Sequence, residues 1–219
     1  MTAEEEDKQA TYPCPACDAR LFGWSAARHP IDGSKLVLDH CESCGLVVTR
    51  APNPPDSGAE LAGLQRRGDL LIAANRGSFQ GGIGGAQWAG MEPDQRRLHM
   101  NRRAAKLLLR KQGIELIDAS TPFSWRSYVR MLETMINAFT LRDNFVANAR
   151  AGRLRPVGAR ARFTFTLDAA VSCLVAIPLA IVAAPTELLG SLLGRGGLMR
   201  LETVSTAAAA AKVEAGPRG

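Results

Sequence analysis

Two pairs of cysteines near the start of the chain limit most strongly what its first 50 residues can form. The pairs are 14-CPAC-17 and 41-CESC-44. Two C-x-x-C motifs can turn four thiolates toward one point, and four thiolates make a closed, tetrahedral, structural zinc site. The sequence therefore predicts a zinc ribbon over residues 1–50, with Cys14, Cys17, Cys41 and Cys44 as zinc ligands. Redox activity or chance pairing of the cysteines is the alternative.

The first residues and the pairing of the cysteines indicate a cytoplasmic chain. The opening MTAEEEDKQA lacks the positively charged start and apolar core of a secretory signal. Cysteines in close pairs favour a metal over disulfides in a reducing compartment.

The net charge is +6, but residues 95–162 alone hold fifteen Arg or Lys against four Asp or Glu. The basic character thus belongs to one region and not to the whole chain.

A proline-rich linker over residues 51–60 separates the ribbon from a second region. There, 70-LLIAA-74 has the composition of a buried strand, and a glycine-rich stretch follows it. The glycines match neither G-x-G-x-x-G nor the closing Gly-Lys-Ser/Thr of a P-loop, so no nucleotide loop is predicted. We interpret them as a closely packed loop after a strand.

Further helices and strands follow this loop. Asn101 can cap a helix over residues 102–112, and 114–119 has the pattern of a strand. A second helix is predicted to open at Ser120-Thr121-Pro122. Its apolar positions recur at intervals of three and four and are expected in the core; they are Trp125, Tyr128, Leu132, Ile136 and Phe139. The segment 198–205 alternates like a strand, and a disordered tail is expected over residues 206–219.

The segment 169–186 contains no charged residue and is close to the shortest length that can cross a bilayer. Pro178 and Pro185 are expected to divide it into two short helices. We predict an apolar helical hairpin over residues 163–193 that lies in the membrane interface, with a buried helix pair or a single span as alternatives. Arginines upstream would face anionic lipid at the inner face of the cytoplasmic membrane; they are Arg150, Arg153, Arg155, Arg160 and Arg162.

The order of these pieces resembles the bacterial class I SAM-dependent methyltransferases that carry an N-terminal zinc ribbon. The resemblance is carried by 41-CESCGLVV-48, 70-LLIAANRGS-78, 88-WAGMEPDQRRLHM-100 and 102-RRAAKLLLRKQGIEL-116. It implies an α/β fold in which residues 61–162 and 194–205 form the C-terminal half of a Rossmann-like domain. Three strands of that half would lie side by side with helices, as an α+β remnant. The half that binds SAM in the family has no counterpart in this chain.

The resemblance also implies where a donor and an acceptor would meet. His99 is the candidate general base, and Asn75, Gly77 and Trp88 are the candidate cofactor-binding residues. SAM itself is not expected to bind an isolated chain without the missing half. The strand 70–74 would be left with an unpaired edge. A second copy of the chain, a complete methyltransferase or the chain's own apolar segment is predicted to cover it.

Three functions follow from these features. The first is a methyltransferase-like, membrane-associated accessory or scaffold protein, with cell-envelope or sugar biosynthesis implied by the resemblance. The second is an active methyltransferase whose donor site is rebuilt or supplied by a partner. The third is a zinc-ribbon protein that binds nucleic acid. The third is not favoured, because the basic residues lie outside the ribbon and no aromatic residues alternate with them.

Overall fold

A computed structural model describes residues 12–29, 34–67 and 69–205 of the chain. The predicted tail at 206–219 therefore lies outside the described residues. The described residues form eight strands, numbered in chain order β1 Phe22–Arg28, β2 Lys35–His40, β3 Val47–Thr49, β4 Gln65–Arg67, β5 Leu70–Ala74, β6 Leu98–His99, β7 Ile114–Ser120 and β8 Leu198–Ser205. They also form six α-helices, α1 Ser57–Ala62, α2 Phe79–Gly84, α3 Arg102–Lys111, α4 Trp125–Asn137, α5 Phe145–Arg150 and α6 Ala159–Leu192.

The first sheet is antiparallel, with the strand order β1-β2-β3-β6. Strands β1 and β2 form an antiparallel hairpin, and Ala27 and Leu38 pack in a small core with Trp88. Strand β6 comes from the second region and pairs with β3, so that Val47 lies opposite His99. The ribbon sheet is therefore completed by residues beyond the predicted boundary at residue 50.

The second sheet has the order β4-β5-β8-β7, and each neighbouring pair is antiparallel. Strands β5 and β7 therefore run parallel to each other on either side of β8. The three predicted strands do share one sheet. That they represent half of a Rossmann-like domain stays a prediction.

One edge of this sheet differs from expectation. Strand β4 pairs with β5 and places Gln65 opposite Ile72 and Arg67 opposite Leu70. The predicted unpaired edge of 70–74 is therefore wrong over 70–72, because the preceding residues fold back as a hairpin. That a partner binds this edge stays a prediction, but β4 already pairs with part of the backbone that such a partner would use.

Three local predictions also need correction. The glycine-rich stretch is helical and forms α2, whose first turn is capped by the Ser78 hydroxyl. Helix α4 begins at Trp125 and not at Pro122, because the Ser124 hydroxyl accepts the backbone N–H of Ser127. Its apolar stripe is only partly in the core: Ile136 is buried, whereas Trp125 is 74% exposed.

Helix α6 replaces the predicted hairpin. It is continuous over 34 residues with Pro178 and Pro185 inside it, and is about 51 Å long. Each proline removes one backbone hydrogen bond. Contacts with the rest of the protein help to hold the helix together: the Tyr128 hydroxyl donates to the Ala180 carbonyl at 3.5 Å, and Glu187 accepts the Gly197 amide at 2.9 Å. Local proline rules therefore predicted a break that tertiary contacts prevent.

Candidate functional site

The four paired cysteines come together at one point. Their sulfur atoms all lie within 4.8 Å of one another, with Cys14 and Cys44 3.6 Å apart and Cys17 and Cys41 3.5 Å apart. Four sulfurs bonded to one zinc ion at about 2.3 Å would lie about 3.8 Å apart in a tetrahedron. The cluster therefore has the donor set and the spacing of a metal site, and it is consistent with zinc.

The backbone around each cysteine pair forms the tight turn that such a site needs. The Asp18 amide donates to the Cys14 carbonyl at 2.9 Å, and the Gly45 amide donates to the Cys41 carbonyl at 2.7 Å. Gly45 has a φ of 74°, a conformation that glycine adopts without strain. A Cβ atom at Gly45 would also collide with the side-chain amide of Asn101. Glycine is thus required at this turn for two reasons.

The thiols of the cluster differ in the direction of their pKa shifts. A hydrogen bond from the Cys44 thiol lowers the pKa of Cys14 to about 5. The same contact raises the pKa of Cys44, because that thiol keeps its proton to donate it. Burial raises the pKa of Cys41. A cation at the centre would stabilise all four thiolates at once, so metal binding is expected to release protons.

The cysteine cluster also anchors the second region of the chain. Asn101 caps α3 through its Oδ1, which accepts the Ala104 amide at 2.8 Å, and its Nδ2 donates to the Cys44 carbonyl at 3.0 Å. Cys14, Cys41 and Cys44 belong to the same buried cluster as residues of α3, β5 and β8. The metal site is buried and lies at a junction between structural units, which favours a structural role over catalysis.

His99 lies in the interior and not in an open cleft. Its side chain is buried in strand β6, and its Nε2 lies 3.0 Å from the Thr49 hydroxyl. Burial, together with the charges of Arg76 and Arg96, lowers its pKa to about 3. The imidazole is therefore neutral near pH 7. Its role as a general base stays a prediction.

Replacement of His99 by glutamine is expected to reduce the loss of stability in mild acid. The unfolded chain binds a proton at His99 below about pH 6.5, whereas the folded chain does so only below about pH 3. Stability is therefore lost as the pH falls through this window, by about 2 kcal/mol at pH 5. Urea unfolding at pH 7 and pH 5 measures the difference. An equal pH dependence of the variant and the wild type would contradict this assignment.

The three candidate cofactor-binding residues have structural contacts. The indole N–H of Trp88, which is fully buried, donates to Gln80 Oε1 at 3.3 Å. Asn75 donates to the Gly196 carbonyl at 3.0 Å and accepts the Gly77 amide at 3.1 Å, so it closes the turn after β5. Asn75 also lines a cavity of about 320 Å³. Their cofactor-binding roles stay predictions.

Helix α6 has its apolar and polar faces inverted relative to a helix on the surface of a soluble protein. Its exposed side carries large apolar residues at intervals of three, four and seven; they are Phe163, Leu167, Leu174, Ile177, Ile181, Leu188 and Leu192. Its buried side carries Asp168, Ser172 and Glu187 together with Ala183 and Gly190. We call the exposed side the apolar face and the buried side the polar face of α6.

Hydrogen bonds attach the polar face to the rest of the protein. Asp168 accepts the Leu141 amide at 2.7 Å. Glu187 accepts Gln80 Nε2 at 2.6 Å and the Gly197 amide at 2.9 Å, and the Ser127 hydroxyl also donates to it. These residues were not predicted, because Asp168 and Glu187 flank the uncharged segment 169–186 and their partners are distant in sequence.

Length and composition make α6 the one helix among the described residues that could cross a membrane. The most apolar 18-residue window within it has a mean hydropathy of 2.2, and only 17% of that window is buried in the protein. A core helix of a soluble protein would be mostly buried. The combination therefore supports contact with a second apolar phase or partner.

No protein-family model, curated protein or solved structure matches the chain. The resemblance to methyltransferases accordingly stays a prediction from the sequence motifs. The four-cysteine cluster and the exposed apolar face of α6 are the two features of the structure that bear on function.

Proposed function

We propose that this protein is a zinc-stabilised accessory or scaffold protein that attaches to the inner face of the cytoplasmic membrane through α6. The apolar face of this helix is the observation that carries the proposal. It extends from Phe163 to Leu192, and Leu174, Ile177 and Ile181 are each more than 70% exposed. Burial of one such side chain is worth about 1.5–3 kcal/mol. Contiguous apolar surface of this kind marks an interaction site.

The connections of α6 favour attachment in the plane of the membrane over a span. Strand β8 follows α6 directly and lies between β5 and β7, which precede it, so both ends of the helix belong to one side of the membrane. The polar face also remains hydrogen-bonded to the protein at Asp168 and Glu187. Insertion of the apolar face at the headgroup and acyl boundary would leave these hydrogen bonds intact.

The residues at the N-terminal end of α6 support a preference for anionic lipid. Arg155, Arg160 and Arg162 are exposed beside Phe163, which is 69% exposed. Basic residues near a membrane surface contribute about 1 kcal/mol each when the lipids are anionic. The aromatic ring and the guanidinium groups would therefore act together at the same surface.

Flotation with lipid vesicles tests the attachment. The purified chain is expected to float with vesicles of phosphatidylglycerol and phosphatidylcholine, and less with phosphatidylcholine alone. Light scattering without lipid measures the competing arrangement, in which a second copy covers the apolar face. A stable dimer that does not float would contradict the proposal.

The second candidate function is methyl transfer from SAM. The cavity of about 320 Å³ favours it, because Asn75, Ser120 and Thr121 place this cavity where the parallel strands β5 and β7 end. Ligands of open α/β sheets bind at that end of the strands. Even so, we propose that the donor site is lost, because the half that binds SAM in the resembling family has no counterpart here.

Titration calorimetry with SAM and with its demethylated product distinguishes the two functions. We expect no saturable heat from either compound with the isolated chain, even at millimolar ligand. Binding at micromolar concentration would replace the scaffold proposal with an enzymatic one. The flotation result does not depend on this outcome, so the membrane and donor questions are tested separately.

A further inference from the structure

A charged cleft of about 410 Å³ lies between α4 and α5, with Ala89, Glu92 and Asp94 among its lining residues. Both of its walls contact the helix that we propose to lie on the membrane. The Tyr128 hydroxyl of α4 donates to the Ala180 carbonyl of α6 at 3.5 Å. The Phe145 ring of α5 packs edge to face on Phe165 of α6, with 5.2 Å between the ring centroids. The cleft is therefore a neighbour of α6.

Arginine is the most frequent residue type in the lining of the cleft. Four arginines line it together with three carboxylates; the seven residues are Arg126, Arg130, Arg150, Arg153, Glu92, Asp94 and Glu133. Three arginines face a carboxylate, whereas Arg126 donates to the neutral Gln65 Oε1 at 2.9 Å. The lining thus has one more positive group than negative groups.

Two of the three ion pairs in the cleft have long N···O separations. Arg130 lies 3.4 Å from Glu92, and Arg153 lies 3.6 Å from Asp94. Arg150 lies 3.0 Å from Glu133 Oε1, yet that oxygen accepts no hydrogen bond from the described residues. The Arg150 side chain is also 66% exposed. The partner side chains Arg130, Glu133 and Asp94 are mostly buried, so an anion would add to the cluster and not displace the carboxylates. The long separations of the Arg130 and Arg153 pairs let these guanidinium groups turn toward such an anion without breaking a short charge-assisted hydrogen bond.

We propose that this cleft binds a phosphate group, as a phosphomonoester or a phosphodiester, through Arg126, Arg130, Arg150 and Arg153. Guanidinium groups bind phosphate oxygens in a bidentate fashion, with charge-assisted hydrogen bonds on several sides. Burial lowers the pKa of Arg130, so its guanidinium has lost water and gains from a close anion. A lipid headgroup as the source of the phosphate rests on the proposed attachment of α6 to the membrane.

Trp125 would lie at the entrance of the phosphate site. Its side chain lines the cleft and is 74% exposed, and its ring packs on Tyr128 with 4.9 Å between the centroids. An indole ring at a membrane surface is stable beside headgroups, because one part of it is apolar and another donates a hydrogen bond. Its fluorescence also reports on ligands that enter the cleft.

Two matched double variants test the site on the full chain. R126Q/R150Q removes two cleft charges and leaves the half-buried Arg130 in place. R103Q/K106Q removes two charges from exposed positions on α3, outside both the cleft lining and the proposed membrane contact. Inorganic phosphate is titrated while tryptophan fluorescence is followed, and the loss of the signal in W125F assigns it to Trp125. Thermal melts of each variant confirm that the fold is retained.

The expected results differ between the two variants. R126Q/R150Q should bind phosphate at least about tenfold more weakly than the wild type, because each charge-assisted hydrogen bond is worth about 1.5–3 kcal/mol. R103Q/K106Q should bind it within about twofold of the wild type. R126Q/R150Q could instead weaken binding to phosphatidylglycerol vesicles while leaving the response to free phosphate unchanged. That result would also support the site and would identify a lipid headgroup as its ligand.

Equal effects of the two double variants on free phosphate and on phosphatidylglycerol vesicles would overturn the inference, and so would the absence of saturable binding to both. If phosphate binding is absent while the wild type still floats with phosphatidylglycerol vesicles, the cleft proposal fails and the membrane proposal stands. If flotation fails while free phosphate still binds, the cleft proposal stands alone and its ligand is soluble.

Discussion

Removal of the metal from the purified protein is expected to unfold the ribbon and the part of the α/β region that packs on it. Cys14, Cys41 and Cys44 lie in the largest buried cluster together with α3, so loss of the centre exposes a shared core. Apparent free energies of structural zinc binding are about 10–16 kcal/mol at pH 7. That exceeds or matches the total stability of about 5–15 kcal/mol of a typical domain.

Replacement of Cys41 by serine is the matching variant. We expect it to lose the bound metal and most of the ellipticity change of thermal unfolding, measured by metal analysis and circular dichroism. Cys173→Ser is the control, because Cys173 is exposed and lies on α6, far from the cluster in sequence. A C41S protein that melts at the wild-type temperature would show that the centre does not stabilise the fold.

Two aspartates on the apolar face of α6 are expected to abolish attachment to membranes. Ile177 and Ile181 are 75% and 72% exposed and are neighbours on that face. A carboxylate that enters the apolar part of a bilayer costs up to about 3 kcal/mol. The variant I177D/I181D should therefore bind vesicles at least about 100-fold more weakly than the wild type. Its stability in water should change little, because both positions face outward.

The control for this experiment is I117D. Ile117 is 65% exposed on β7, outside α6, so the same chemical change is made on another surface. Vesicle flotation of the three proteins measures the effect. If I177D/I181D and I117D float equally well, α6 is not the attachment surface. If both fail, the loss reflects negative charge in general and not the apolar face.

The four-cysteine cluster was predictable because its signal is local. Cys14 and Cys17, and then Cys41 and Cys44, are close enough in sequence for one turn to present each pair. The cap of α3 by Asn101 was predictable for the same reason, and the helix begins where the sequence indicated. The three strands 70–74, 114–119 and 198–205 were also expected to share a sheet, and they do.

The errors arose where distant contacts decide the structure. Pro178 and Pro185 favour a break by local rules, yet hydrogen bonds to α4 and the glycine turn before β8 hold one continuous helix. The inversion of α6 was missed because Asp168 and Glu187 define the polar face only once their partners are known. The pairing of β4 with β5 involves a segment of three exposed residues, which carries little hydrophobic signal.

The position of strand β8 also determines when the second sheet can be completed as the chain is synthesised. It occupies a central place in its sheet, between β5 and β7, yet it is made after α6. Chains fold from the N-terminus as they leave the ribosome. The apolar helix therefore emerges while the sheet still lacks the strand that joins its two halves. During that interval chaperones or lipid would meet the helix before its polar face has a finished surface on which to dock.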